Sequence, residues 1–118
     1  MSYIYLASPY SDPSPAVREE RFFATERATA WLLRERIWVY SPIVHCHALA
    51  LRYGLPTDAG FWQEYNFAML RGAAALWLLK LSGWENSIGM RSEIAFAGRE
   101  GIPVQEFLRG SVAEGNLV

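Results

Sequence analysis

The chain has a single cysteine, Cys46, so no disulfide can form within it and a reducing, cytoplasmic setting is expected. Lys80 is the one lysine against ten arginines, and Asp12 and Asp58 are the only aspartates. Eleven basic and twelve acidic residues leave a net charge of −1, without the basic footprint of a protein that binds polymeric nucleic acid or an anionic membrane. No apolar run reaches transmembrane length, and the opening MSYIYLASPYS has no basic signal-peptide region, so no membrane association is expected. There is no glycine-rich phosphate loop and no dinucleotide fingerprint, which argues against ATP hydrolysis and NAD binding. His45-Cys46-His47 has no further ligand cluster to complete a metal site, and no metal or other cofactor is expected.

What is present is a well-patterned apolar chain. Of 118 residues 52% are hydrophobic, enough for one core and one domain. A single α/β domain over residues 1–118 is expected, with a core from about 2 to 105 and a C-terminal tail over 106–118. Aromatic residues reach 14%, more large apolar surface than a small monomer hides, which points to a homo-oligomer.

The central stretch is Ala74 to Val104. The apolar run Ala74–Leu79 reads as a strand buried on both faces. A turn-rich segment follows, then an amphipathic helix from about Gly89 to Glu100 that stops at Gly101, then a short strand Ile102–Val104. Earlier, Ser2–Ala7 reads as a strand halted by Pro9 and Pro13. Ser14 caps a helix with Pro15 at its first position, running to about Arg36 with Val17, Ala24, Ala28, Trp31 and Leu32 on its inner face. Ile37–Tyr40 reads as a second strand, His45–Tyr53 as a short helix or ordered loop, and Ala59–Arg71 as a helix ending at Gly72. Strands alternating with helices give a three-layer, flavodoxin- or Rossmann-like open parallel sheet of order 2-1-3-4. Ligands of such sheets bind beyond the carboxyl ends of the strands, where Ser8, Tyr10, Ser87 and Glu93 are expected to converge.

Glu93, in the expected first turn of its helix, is either an ordinary acidic residue at a helix start or an ionised carboxylate aimed at a cleft. In the second case it can attack carbon or stabilise a developing cation. Ser8-Pro9-Tyr10-Ser11 is either a simple proline turn or a hydroxyl-rich loop for sugar or phosphate oxygens. Asp58 is a helix cap or a site residue, and Tyr10 and Trp84 pack or stack a base. Asn66 lacks the exchangeable acid proton of a carboxyl group.

Tyr5-Leu6-Ala7-Ser8-Pro9-Tyr10, Phe61-Trp62, Gly83-Trp84, Ser87-Ile88-Gly89 and Glu93 with Ala97 together carry a resemblance. Over about residues 3 to 105 the chain resembles a bacterial and phage branch of unknown function, DUF1937-like, within the nucleoside 2-deoxyribosyltransferase-like superfamily. The resemblance implies an N-glycosidase or 2-deoxyribosyltransferase acting on a small nucleoside or nucleotide. Glu93 would be the nucleophile at C1′, with Tyr5 beside it and Ser8 and Ser87 near the sugar or its 5′ group. Further substrate contacts are expected from Pro9, Tyr10, Ser41, His45, Asp58, Trp84 and Gly89. The superfamily carries an aspartate where this chain has Asn66. That departure opens a second expectation, a catalytically silent nucleotide-binding or sensing module; a third is an oligomeric protein-interaction scaffold. His45, Asp58 and Glu64 are the expected substitutes for the missing acid, and Arg18, Arg21 or Arg91 the expected reach toward a phosphate.

Overall fold

The computed structural model of the chain describes residues 2–107. Its elements run β1 (Ile4–Ala7), α1 (Pro15–Arg34), β2 (Val39–Tyr40), α2 (Pro42–Tyr53), α3 (Ala59–Arg71), β3 (Ala75–Leu78), a 3-10 turn (Trp84–Asn86), α4 (Ile88–Glu100) and β4 (Val104–Glu106). The sheet has the expected order β2-β1-β3-β4, and all its pairings are parallel. β1 and β3 are central, so both faces of each must be apolar.

Side chains alternate across these strands, and the alternation assigns the helices to layers. Tyr5, Ala7, Leu76 and Leu78 point to one face and pack with Leu70 of α3 and Met90, Phe96 and Ala97 of α4. Leu6 points to the other face and packs with Ala28 and Leu32 of α1 and with Leu79 and Phe107. Tyr5 therefore shares a face with α4, and this alone makes a contact to Glu93 possible.

Several boundaries differ from those expected, those of α1, α2 and β4 most. α1 ends at Arg34, because Arg36 takes a left-handed φ of 65° and the Ile37 amide donates back to Leu32 O. Ile37 and Trp38 thus close the helix, and β2 keeps two residues. On α1, Thr25 and Thr29 are buried beside Ala28 and Leu32, their hydroxyls donating to carbonyls four residues back. α2 starts at Pro42 instead of His45: Ser41 Oγ accepts from the Val44 amide and Pro42 occupies the first turn. β4 starts two residues late. Gly101, at φ 70°, ends α4 in a left-handed cap, so the Ile102 amide donates to Ala97 O and pairing begins only after Pro103.

The expected division between core and tail at residue 105 also moves. Glu106 pairs with Leu78 in β4, and Phe107 is buried against Trp31 and Trp77. The remainder of the expected tail, from 108 on, lies outside the described residues. No helix among the described residues is long and apolar enough to cross a membrane.

Candidate active site

β1 connects to β2 on one side of the sheet and β3 to β4 on the other. The crevice between β1 and β3 is thus the switch point of the fold. A cavity opens beside it, at the place where ligands of such sheets bind. Each wall follows from helical spacing. Ile43, Cys46, His47 and Ala50 line it from α2, spaced i, i+3, i+4, i+7. Ala59, Trp62 and Asn66 line it from α3, and Gly89 and Glu93 from α4, while Tyr10 and Ser11 come from the loop after β1. A second depression between α3 and α4 shares Ala59, Asn66, Gly89 and Glu93 with it.

Glu93 is 5% exposed, and the Tyr5 hydroxyl donates to its Oε2 at 2.6 Å. This bond joins β1 to α4 across 88 residues of sequence, and Tyr5 is itself fully buried. The expectation of a first-turn carboxylate held ionised by the helix terminus is corrected here. Ser87 is the N-cap and Ile88 the first helical residue, so Glu93 is in the second turn, past the free amides. Burial dominates instead and lifts Glu93 from the ordinary 4.5 to about 7, while the Tyr5 bond works against that rise. Burial and the neighbouring Glu93 together push the Tyr5 phenol well above its ordinary value, so Tyr5 remains a donor.

Asn66 lines both depressions, and its Oδ1 is buried with no hydrogen-bond partner among the described residues. An unpaired buried acceptor costs about 1–3 kcal/mol, so the pocket presents a place for a ligand N–H.

The other expected residues divide into two groups. Tyr10, Asp58, Ser87 and Gly89 line the cavity, with Asp58 Oδ1 also accepting from the Phe61 amide and Ser87 Oγ from Met90. Ser8, Pro9, Ser41, His45 and Trp84 stand outside the lining. Ser8 is buried on the α1 side, where its hydroxyl lies 3.1 Å from Thr25 Oγ1 and donates to it, and Pro9 is fully buried. Ser41 is spent capping α2. His45 is exposed, its ring stacked over Tyr65, because helical geometry turns it away from His47. Trp84 packs on the core beneath Lys80, whose ammonium stands 4.6 Å from the ring centroid. The three arginines considered for phosphate contact loop carbonyls: Arg18 to Asp12, Arg21 to Tyr10, Ser11 and Ser82, and Arg91 to Glu85.

The residues that sequence reasoning missed are mostly on α2. His47, 6% exposed, sits between two partners: its Nδ1 lies 2.6 Å from the Tyr10 hydroxyl and its Nε2 3.0 Å from Glu19 Oε2. Phe22 stacks on its ring at 4.2 Å. Beside it, burial raises the Cys46 thiol above its ordinary value, so Cys46 is a neutral part of the wall. The missed signal was Ser41-Pro42, the same cap-plus-proline pattern as Ser14-Pro15, which starts α2 early enough to turn His47 inward.

The model of the family described as "Domain of unknown function (DUF1937)" matches residues 2–109, and the chain belongs to that family. No curated protein matches the chain.

Proposed function

We propose that this member of the DUF1937 family cleaves the N-glycosidic bond of a nucleoside or nucleotide, as a branch of the nucleoside 2-deoxyribosyltransferase-like superfamily. The observation that carries the reading is the buried Glu93 carboxylate, facing a cavity at the sheet's switch point with Oε2 held by Tyr5. With one oxygen held, the other is left to attack C1′. The carboxylate must be ionised to do so, and a group near 7 is both ionised in part and a strong nucleophile at neutral pH. A glycosyl ester on Glu93 forms as the base departs, and water or a second base then releases the sugar. This parallels retaining glycoside chemistry.

The lining favours a neutral nucleoside over a 5′-nucleotide. Among the described residues no Arg or Lys lines the cavity, whereas the hydroxyl-bearing Tyr10, Ser11, Thr57 and Ser87 do. Asn66 is assigned to holding the base through an N–H donated to its unpartnered Oδ1. The expected cytoplasmic homo-oligomer belongs to the same reading. Exposed Phe61, Tyr65 and Ile88 would meet a second copy, and sedimentation of the purified protein tests this.

The test is release of free base from a panel of 2′-deoxynucleosides and their 5′-monophosphates, read by chromatography, with a second base added to half the samples. Wild type releases base, Glu93→Ala does not, and base exchange separates a transferase from a hydrolase. A second reading, a silent binding module, is favoured by Asn66, which supplies no acid proton. It predicts nucleoside-induced thermal stabilisation without base release, and release once Asn66→Asp is introduced.

A further inference from the structure

The reaction proposed for Glu93 needs a proton for the departing base, and Asn66 has none to give. A second group of side chains on the same cavity has the geometry to supply it. Tyr10 and His47 both line the cavity, and Tyr10, His47 and Glu19 form one chain of hydrogen bonds at 2.6 and 3.0 Å. Tyr10 comes from the loop after β1, His47 from α2 and Glu19 from α1. Phe22 fixes the imidazole plane by stacking. The Glu19 side chain is 46% exposed while that of His47 is 5% exposed, so the chain runs from bulk water to the cavity wall.

Donor and acceptor roles follow from the ends. A carboxylate only accepts, so His47 Nε2 carries a hydrogen toward Glu19. In neutral His47 the Nδ1 is then an acceptor, and the Tyr10 hydroxyl donates to it. In the imidazolium both ring nitrogens donate, Tyr10 oxygen becomes the acceptor, and its own O–H turns into the cavity. Burial holds the Tyr10 phenol above its ordinary value, against the pull of Arg18, so Tyr10 passes a proton only when another replaces it.

We propose that Tyr10, backed by the His47–Glu19 pair, is the general acid that protonates the leaving base, replacing the carboxyl that Asn66 lacks. This rests on the glycosidase reading of Glu93. As the Glu93 oxygen bonds to C1′, the C1′–N bond breaks and its electron pair stays on the base nitrogen. That nitrogen takes the Tyr10 proton, Tyr10 oxygen takes the His47 Nδ1 proton, and His47 is left neutral with Nε2–H on Glu19. In the second half water attacks C1′ and the ester electrons return to Glu93. The water proton passes through Tyr10 to His47 Nδ1, which restores the imidazolium. Tyr10 is catalytic, whereas Glu19 is a positioning residue acting through His47.

The test compares leaving groups. The four common 2′-deoxynucleosides leave as bases that need a proton; p-nitrophenyl 2-deoxyriboside releases a phenolate that needs none. Tyr10→Phe, His47→Asn and Glu19→Gln are expected to lower kcat for the best nucleoside about 10²-fold or more for the first two, less for the third. KM stays within a few-fold, and kcat for the nitrophenyl substrate falls less than about tenfold. Glu93→Ala abolishes both. Tyr10→Phe removes one oxygen only, so it carries the test where His47→Asn does not fold. Equal loss on both substrates by Tyr10→Phe overturns the acid role, as does a wild type that cleaves only the nitrophenyl substrate, while both outcomes leave Glu93 standing. A wild type inert toward both substrates overturns the reading of Glu93 and the acid role with it.

Discussion

Replacing Glu93 by Gln is expected to favour the folded protein progressively, relative to wild type, as pH rises from about 4.5 through about 7. In the folded protein Glu93 holds its proton to about pH 7; in the unfolded chain it gives it up near the ordinary 4.5. Between those values the folded state binds the extra proton, so stability falls as pH rises across the window and levels off above it. At about 1.4 kcal/mol per pH unit, the interval corresponds to about 3 kcal/mol lost by pH 8. Gln keeps the shape, and its carbonyl still accepts the Tyr5 hydroxyl, but it never ionises. Its buried amide adds an offset that is the same at every pH, so the informative quantity is the difference between variant and wild type. That difference should grow in favour of Glu93→Gln by about 3 kcal/mol from pH 4.5 to 8, or about 10 °C in Tm for a chain of this size. Urea unfolding followed by tryptophan fluorescence at a series of pH values measures it. A difference that stays constant over this range would refute the claim that burial controls the carboxylate.

Further consequences follow from the same geometry. If Glu93 attacks as a carboxylate, kcat rises with pH through about 7; Tyr5→Phe removes the bond that opposes the shift and moves that rise upward by about 1–2 pH units, since a bond to a charged group contributes about 1.5–3 kcal/mol. Gly83→Ala should cost about 1–3 kcal/mol in denaturant unfolding, because Gly83 has φ +87° and an added Cβ would stand 2.7 Å from an Arg21 nitrogen. Gly98→Ala should do the reverse and stabilise by about 1 kcal/mol, being a helical position in α4 with nothing within 4 Å of the new Cβ. Ser87→Ala removes the cap of α4 and should cost about 1 kcal/mol, read as a lower Tm.

The fold was legible because its signals are local and agree with one another. Two apolar runs of four to six residues, the Ser14-Pro15 helix start and a glycine after α4 are enough to order β1, α1, β3 and α4. β4 was misplaced for a physical reason: its residues Val104, Gln105 and Glu106 are exposed, so apolar content drew the expected strand back to Ile102, whose amide belongs to the helix cap. At the site, Glu93 could be found by residue type and position and Asn66 through the family resemblance, but their environments could not. Burial, with the helix start one residue earlier than expected, turns an expected ionised carboxylate into one near 7, against the bond from Tyr5. The Tyr10–His47–Glu19 chain was invisible for another reason. Its members are 9 and 28 residues apart and come from three elements, with no spacing rule to connect them. Only the packing of α2 on α1 brings them together.

The central claim is that Glu93 forms a bond to the sugar. The direct measurement is mass spectrometry of the protein after incubation with 2′-fluoro-2′-deoxyarabinosyl nucleosides, whose fluorine slows breakdown of a glycosyl ester more than its formation. An added mass of one fluorosugar is expected on the peptide containing Glu93 and not in Glu93→Gln, with free base released in equal amount. Base release without any adduct on Glu93, or an adduct on another residue, would contradict it.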